Sequence, residues 1–89
     1  MVARTVVVNN LLGLHARAAA RFVHLAGTFQ ARVTVTRGAR TVDGKSILGI
    51  LLLAASCGSA IDVRAEGPDE HAALDGLCGL VETGFGESA

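Results

Sequence analysis

The chain has 89 residues, which is enough for one domain around a single hydrophobic core. Its apolar fraction of 51% excludes a disordered chain, and its aromatic fraction of 3% predicts a core of Val, Ile, Leu and Ala. The formal net charge is zero, which together with the lack of Trp and Tyr argues against a nucleic-acid partner.

The first half of the chain predicts a strand, a helix and a hairpin. β-Branched residues dominate residues 2–8, which is typical of a strand, and residues 9–14 form a loop. Residues 16–26 predict a helix, because their apolar side chains recur at helical spacing: Ala19, Phe22, Val23 and Ala26. The alternating residues 32–37, a turn at residues 37–40 and a short run ending near Val42 predict a hairpin.

The second half predicts a helix, a strand and a longer helix. Ser46 occupies the N-cap position of a helix over about residues 47–55. Residues 60–66 alternate, which predicts a strand with one buried face: Ile61, Val63 and Ala65. After a turn at residues 67–69, the last helix carries one apolar stripe: Leu74, Leu77, Cys78, Val81 and Phe85. The order β-α-β-β-α-β-α favours an α+β fold in one domain over residues 1–89, an open-faced two-layer β-sandwich.

His15 is the strongest candidate for chemistry. It lies between Gly13-Leu14 and the start of the first predicted helix, where unpaired backbone N–H groups and the positive end of the helix dipole favour phosphate. Arg17 adds a planar set of donors that suits phosphate. Most histidines near helix starts are ordinary surface residues, which is how we interpret His24 and His71. The joint occurrence of Gly13, His15 and Arg17 instead predicts a histidine that becomes phosphorylated.

Three segments resemble the HPr family, the histidine phosphocarriers of the phosphoenolpyruvate-dependent phosphotransferase system. The segment 12–17, LGLHAR, resembles the family's active-centre motif. The segment 43–49, DGKSILG, is similar to its regulatory-serine segment, and the segment 66–70, EGPDE, resembles the turn into its last helix. Together the three matches extend over essentially the whole chain, in one register.

The resemblance implies a four-stranded antiparallel sheet covered on one face by three helices. It also implies that His15 accepts phosphate from phospho-enzyme I, on the ring nitrogen nearer the backbone, and passes it to enzyme IIA-type acceptors. The N–H groups of Ala16 and Arg17 and the Arg17 guanidinium would bind the phosphoryl oxygens. Such a protein is a carrier, not an enzyme, and we expect no cofactor and no metal. The family usually has proline at the position of Ala18. Alanine has the backbone N–H that proline lacks, so it restores a donor there.

The resemblance further implies a regulatory site and a docking surface. Ser46 would be the target of an HPr kinase/phosphorylase as well as a helix cap. The expected docking residues are Leu14, Ala20, Ile47, Leu48 and Leu51, with Arg17, Arg21 and His24 at the rim. Residues 1–45 carry seven basic residues and one acid, whereas residues 46–89 carry one base and seven acids. This asymmetry is compatible with a basic surface around His15 that meets acidic partners.

Other interpretations remain open. A regulatory docking module of the same family would control partner proteins by binding, but such relatives lack the active-centre histidine. An RNA- or metal-binding domain has weak support. Within the family, Ala18 and the segments 52–56 and 81–87 favour the nitrogen-regulatory branch, whereas the segment 43–46 is typical of serine-regulated members. Sugar uptake therefore stays an alternative pathway for the carrier.

The remaining features predict a cytoplasmic monomer. Cys57 and Cys78 lack CxxC spacing, so we expect two small buried side chains in a reducing compartment and no zinc or redox motif. Arg4 interrupts the short apolar start, which argues against a signal peptide. The uncharged residues 46–61 are shorter than the roughly 20 apolar residues of a membrane span, so we expect no membrane insertion.

Overall fold

One antiparallel sheet forms the frame of the computed structural model, which describes residues 1–87. Its strands are β1 (Val2–Val7), β2 (Arg32–Arg37), β3 (Arg40–Asp43) and β4 (Ala60–Glu66). Their order is β1-β4-β2-β3, so the last strand in sequence lies between the first and the second. Val6 lies opposite Ile61 and Val35 opposite Val63, which aligns the inward-facing side chains of three neighbouring strands.

Helices cover one face of this sheet. They are α1 (Ala16–Ala26), α2 (Ile47–Leu52) and α3 (Glu70–Glu82), and a 3₁₀ turn at Gly84–Gly86 follows α3. Helix α3 packs on β1 and β4, and α1 contacts both other helices. The order β-α-β-β-α-β-α and the two-layer α+β arrangement confirm the fold predicted from the sequence.

The core lies between the sheet and the helices and is almost wholly aliphatic, as the composition predicts. In β2 and β4, buried residues alternate with more exposed ones, because successive side chains point to opposite faces of a sheet. The β4 residues predicted to face inward, Ile61, Val63 and Ala65, are all at most 1% exposed. Phe22 of α1 and Phe85 after α3 are the largest fully buried side chains.

Two helices end earlier than predicted, each for a tertiary reason. Helix α2 ends at Leu52 instead of residue 55, because Ala54 takes a positive φ of 51°. The chain beyond it then turns the Ala55 carbonyl toward the loop before α1, where it accepts a hydrogen bond from Leu14 N–H at 2.9 Å. Helix α3 ends at Glu82, and Phe85 reaches the core through the 3₁₀ turn instead of through continued helix.

Candidate functional site

The loop between β1 and α1 is held rigidly, and this positions His15. Gly13 has a φ of +64°, and a Cβ there would lie 2.5 Å from the Ala55 carbonyl oxygen, so only glycine fits. The N–H of the adjacent Leu14 donates to that same Ala55 oxygen, and Gly13 N–H donates to the Asn10 carbonyl at 3.1 Å. The residue before His15 is therefore fixed by a segment about 40 residues away in sequence.

His15 is the N-cap residue of α1 and leaves the helix start open. Its backbone is extended, and its side chain makes no capping hydrogen bond. The first intrahelical bond runs from Ala19 N–H to the His15 carbonyl at 2.8 Å, so the amides of Ala16, Arg17 and Ala18 precede the ladder. The first turn carries no acidic residue. These amides form an electropositive end beside the imidazole, suited to an anion.

The imidazole of His15 is 26% exposed and contacts the end of the described chain. Its Nε2 lies 2.5 Å from Glu87 Oε2, while Glu87 Oε1 accepts a hydrogen bond from Asn10 Nδ2 at 3.0 Å. The Asn10 amide also donates to the Gly13 carbonyl at 2.7 Å, so it joins the tail to the loop. The hydrogen bond from Asn10, followed by that from His15, lowers the pKa of the Glu87 carboxyl. Glu87 was not predicted as a site residue, because it lies 72 positions from His15 and its segment, 81–87, indicated only the branch of the family.

The basic residues expected around His15 lie on exposed parts of α1. Arg17 is exposed at the second position of the helix, two residues after His15. Arg21, one turn further, donates from Nη1 to the Phe85 carbonyl and so also holds the tail. Ala20 and His24 are exposed as well.

Ser46 begins α2 as predicted from the sequence. Its hydroxyl accepts a hydrogen bond from Gly49 N–H at 3.0 Å, which satisfies one of the free donors of the helix start. The side chains next to it form an exposed apolar patch, defined here as Ile47, Leu48 and Leu51 of α2, and Leu48 is 67% exposed. Helices α1 and α2 pack against each other.

Two expectations about individual residues were wrong. Leu14, expected on the docking surface, is buried in the core, because its backbone is drawn inward by the bond to Ala55. Cys57, expected to be buried, is exposed in the turn before β4, whereas Cys78 of α3 is buried as expected and its burial raises the pKa of its thiol. The sequence analysis also did not single out Leu11, Leu12 and Leu52, which are more than half exposed.

Across residues 1–87, no group of three or more His, Cys, Asp or Glu side chains is arranged to hold a metal ion. In the same part of the chain, no helix has the length and apolar character needed to cross a membrane.

Comparison with known proteins decides the family. The family model described as "PTS HPr component phosphorylation site" matches residues 2–83. The chain belongs to the HPr family. It is 46% identical over 87 residues to the phosphocarrier protein HPr of Cupriavidus necator, with 98% of each chain covered. It is 41% identical over 86 residues to the phosphocarrier protein NPr of Shewanella violacea, covering 97% of this chain and 94% of the relative.

A solved structure supports the same assignment. The crystal structure of HPr-C-His from Thermoanaerobacter tengcongensis superposes with a TM-score of 0.96 at 40% sequence identity, and all of both chains is covered. The HPr fold is thus shared over the full sheet and all three helices. Membership of the HPr family gives the chain a phosphocarrier role in the phosphotransferase system.

Proposed function

We propose that this protein accepts a phosphoryl group on His15 from phospho-enzyme I and passes it to an enzyme IIA-type acceptor. The observation that carries the proposal is the open start of α1. A partly exposed imidazole lies directly before the amides of Ala16 and Arg17, and the His15 side chain does not cap them. A cap by the His15 side chain would use up one of these donors.

Each residue near His15 has a distinct role in the proposed transfer. The imidazole supplies the nucleophile and forms a labile phosphorus–nitrogen bond. The amides of Ala16 and Arg17 stabilise the phosphoryl oxygens, and the exposed Arg17 guanidinium moves onto them as the group arrives. Ala18 adds a third free amide where the family usually has proline, so the substitution leaves a donor at the site.

The apolar patch is the proposed contact with protein partners. Ile47 and Leu48 are exposed although they are large aliphatic residues. A partner that covers them removes apolar surface from water, which stabilises the complex. Arg17, Arg21, Ala20 and His24 extend the surface along α1 with predominantly basic character. Acidic partners such as an enzyme I or an enzyme IIA would be attracted to this side of the molecule.

Ser46 is the proposed regulatory site. It is partly exposed at the first position before α2, directly beside the patch. Phosphorylation by an HPr kinase/phosphorylase would place roughly two negative charges there. The charge would oppose acidic partners and hydrate the patch, so docking would weaken although the helix would stay capped.

The decisive experiment measures phosphate acceptance directly. The purified protein is incubated with enzyme I and phosphoenolpyruvate, and its intact mass is recorded. We expect one adduct of a single phosphoryl group that survives base and is lost in acid, as phosphohistidine is. No adduct with an enzyme I that phosphorylates another HPr would exclude the carrier function. It would favour a docking module that acts by binding alone.

A competition between two acceptors tests which branch of the phosphotransferase system the protein serves. We propose the nitrogen-regulatory branch, which the segments 52–56 and 81–87 favour, and relatives of both kinds match this chain over nearly their full length. Phosphorylated protein should be offered simultaneously to a sugar-specific and a nitrogen-type enzyme IIA. Faster transfer to the nitrogen-type acceptor is expected. A clear preference for the sugar-specific acceptor would contradict the branch and leave the carrier function intact.

A further inference from the structure

The end of α3 and the tail after it are hydrogen-bonded to the loop between β1 and α1 and to α1 itself. Asn9 Nδ2 donates to the Glu82 carbonyl at 2.9 Å, and Arg21 donates to the Phe85 carbonyl. Phe85 itself is only 1% exposed. These contacts fix the course of the tail toward His15 and place Glu87 beside the imidazole.

The Glu87 carboxylate is held between two partners, and each uses one oxygen. Oε1 accepts from Asn10, which is itself 2% exposed and tied to Gly13, and Oε2 lies 2.5 Å from His15 Nε2. A carboxylate that accepts a hydrogen bond from one ring nitrogen places the proton on that nitrogen and leaves the lone pair on the other. The contact thus selects a tautomer as well as a ring orientation.

We propose that Glu87 is a positioning residue for His15, which holds the ring with its proton on Nε2 and its nucleophilic lone pair on Nδ1. The proposal rests on the proposed function of His15 as the phosphoryl acceptor. Carboxylates play this orienting part for histidines in other settings, where they fix the tautomer and stabilise the positive ring.

The proposed step balances without a proton acceptor. The Nδ1 lone pair forms a bond to phosphorus while the bond between phosphorus and the donor's histidine nitrogen breaks, and the electron pair of that bond returns to the donor. The Nε2 proton stays in its hydrogen bond to Glu87. The His15 ring becomes positively charged, and the carboxylate 2.5 Å from Nε2 stabilises that charge.

The test compares two Glu87 variants with a matched control. Glu87→Gln removes the charge at constant size, and Glu87→Ala removes the acceptor. Glu66→Gln is the control, because Glu66 is an exposed acid at the end of β4. Phosphorylation by catalytic enzyme I and phosphoenolpyruvate is measured over a range of carrier concentrations, to separate kcat from KM. Proton NMR of the unphosphorylated proteins follows the hydrogen-bonded ring N–H of His15.

We expect kcat to fall about tenfold in Glu87→Gln and further in Glu87→Ala, with KM unchanged, as for other carboxylate–histidine pairs. The downfield ring N–H resonance of the wild type should be lost in Glu87→Ala and retained in Glu66→Gln. An unchanged or faster kcat, or a loss confined to KM, would overturn the positioning role. If the wild type accepts no phosphate, the proposed function of His15 itself fails. That result is distinct from a Glu87 variant that is as fast as wild type.

Discussion

The starts of α1 and α2 solve the same physical problem in opposite ways. Every helix begins with N–H groups that have no partner within the helix. At α2, the Ser46 hydroxyl accepts from Gly49 N–H, so one of these donors is satisfied within the chain. At α1, His15 occupies the equivalent position, but its ring turns away to Glu87 and caps nothing.

The difference separates a structural helix start from a binding one. The Ser46 cap is expected to stabilise the protein by about 1 kcal/mol, a typical value for serine caps. The open start at α1 forgoes this stabilisation and keeps its donors for a ligand. The cost is offset elsewhere, because Leu14 is buried and bonded to Ala55, so α1 needs no cap to begin in a fixed place.

The largest expected effect comes from removing the imidazole at the open start. His15→Ala should abolish phosphate acceptance and leave the fold intact, because the partly exposed ring leaves no core cavity. His71→Ala, which removes an exposed histidine on α3, is the matched control and should accept phosphate normally. Intact mass after incubation with enzyme I measures both. Continued acceptance by His15→Ala would place the acceptor elsewhere.

Reversing the charge beside the open start should have the next largest effect. Arg17→Glu removes a phosphate donor and adds a repulsive carboxylate, so the phosphorylation rate should fall by about a hundredfold, the scale found for single donors to developing charge. Arg32→Glu makes the same change on an exposed residue of β2 and should alter the rate little. Rapid-quench kinetics with enzyme I would distinguish the two. Equal rates for wild type and Arg17→Glu would remove Arg17 from the mechanism.

A negative charge at Ser46, the capped start of α2, should weaken docking to enzyme I without destabilising the fold. Ser46→Asp retains an N-cap acceptor, so we expect normal stability. Its carboxylate beside the apolar patch should weaken binding to enzyme I by about tenfold, and the effect should shrink as salt is added. Titration calorimetry at two salt concentrations gives both numbers. Identical affinities at low salt would contradict the role of this surface.

Removing the Ser46 hydroxyl tests whether the cap of α2 stabilises the protein. Ser46→Ala should lower the free energy of unfolding by about 1 kcal/mol, because Gly49 N–H loses its acceptor. Phosphate acceptance at His15 should be unchanged. Ser56→Ala provides the control, since Ser56 is exposed and caps no helix. Urea denaturation monitors stability, and a Ser46→Ala protein as stable as Ser56→Ala would show that the cap contributes nothing.

The start of α3 offers a third arrangement with a small pH-dependent effect. Asp69 makes no capping bond within α3, and its oxygens instead accept from the N–H groups of Gln30 and Ala31, each at 2.8 Å. These bonds, that from Gln30 foremost, lower the pKa of the Asp69 carboxyl. A pKa lowered by folding contributes stability that is present above the unfolded value, near pH 4, and is lost as the pH falls through the folded value.

Asp69→Asn should therefore destabilise the protein at pH 7, and the difference from wild type should narrow below about pH 4. Urea denaturation at pH 7 and at acid pH measures this narrowing. A difference that is the same at both pH values would show that the carboxylate charge plays no part in joining the α1–β2 connection to α3.

Much of the fold follows from short-range patterns. The bounds of α1, the Ser46 cap and the inward face of β4 agree with the sequence prediction, because periodicity and capping act over a few neighbouring residues. His15 and Arg17 could also be singled out locally, since both belong to one contiguous segment at a helix start.

Other features depend on contacts between distant segments. Because α2 ends early, the Ala55 carbonyl can accept a hydrogen bond from Leu14 N–H. This hydrogen bond also draws Leu14 into the core. Cys57 is exposed because the chain turns there before β4, although its residue type favours the interior. No local rule distinguishes these outcomes from their alternatives.

The sequence alone determined the order of strands and helices, the phosphate-favouring start of α1 and the cap of α2, because each arises from interactions within one helical turn or one strand. Only the tertiary structure decided which side chain contacts Nε2 of the His15 ring. Glu87 is 72 residues away, and it reaches Nε2 because Asn10, Arg21 and buried Phe85 fix the course of the tail. A partner at that separation is selected by packing of the whole chain, and no repeat or spacing in the sequence encodes it.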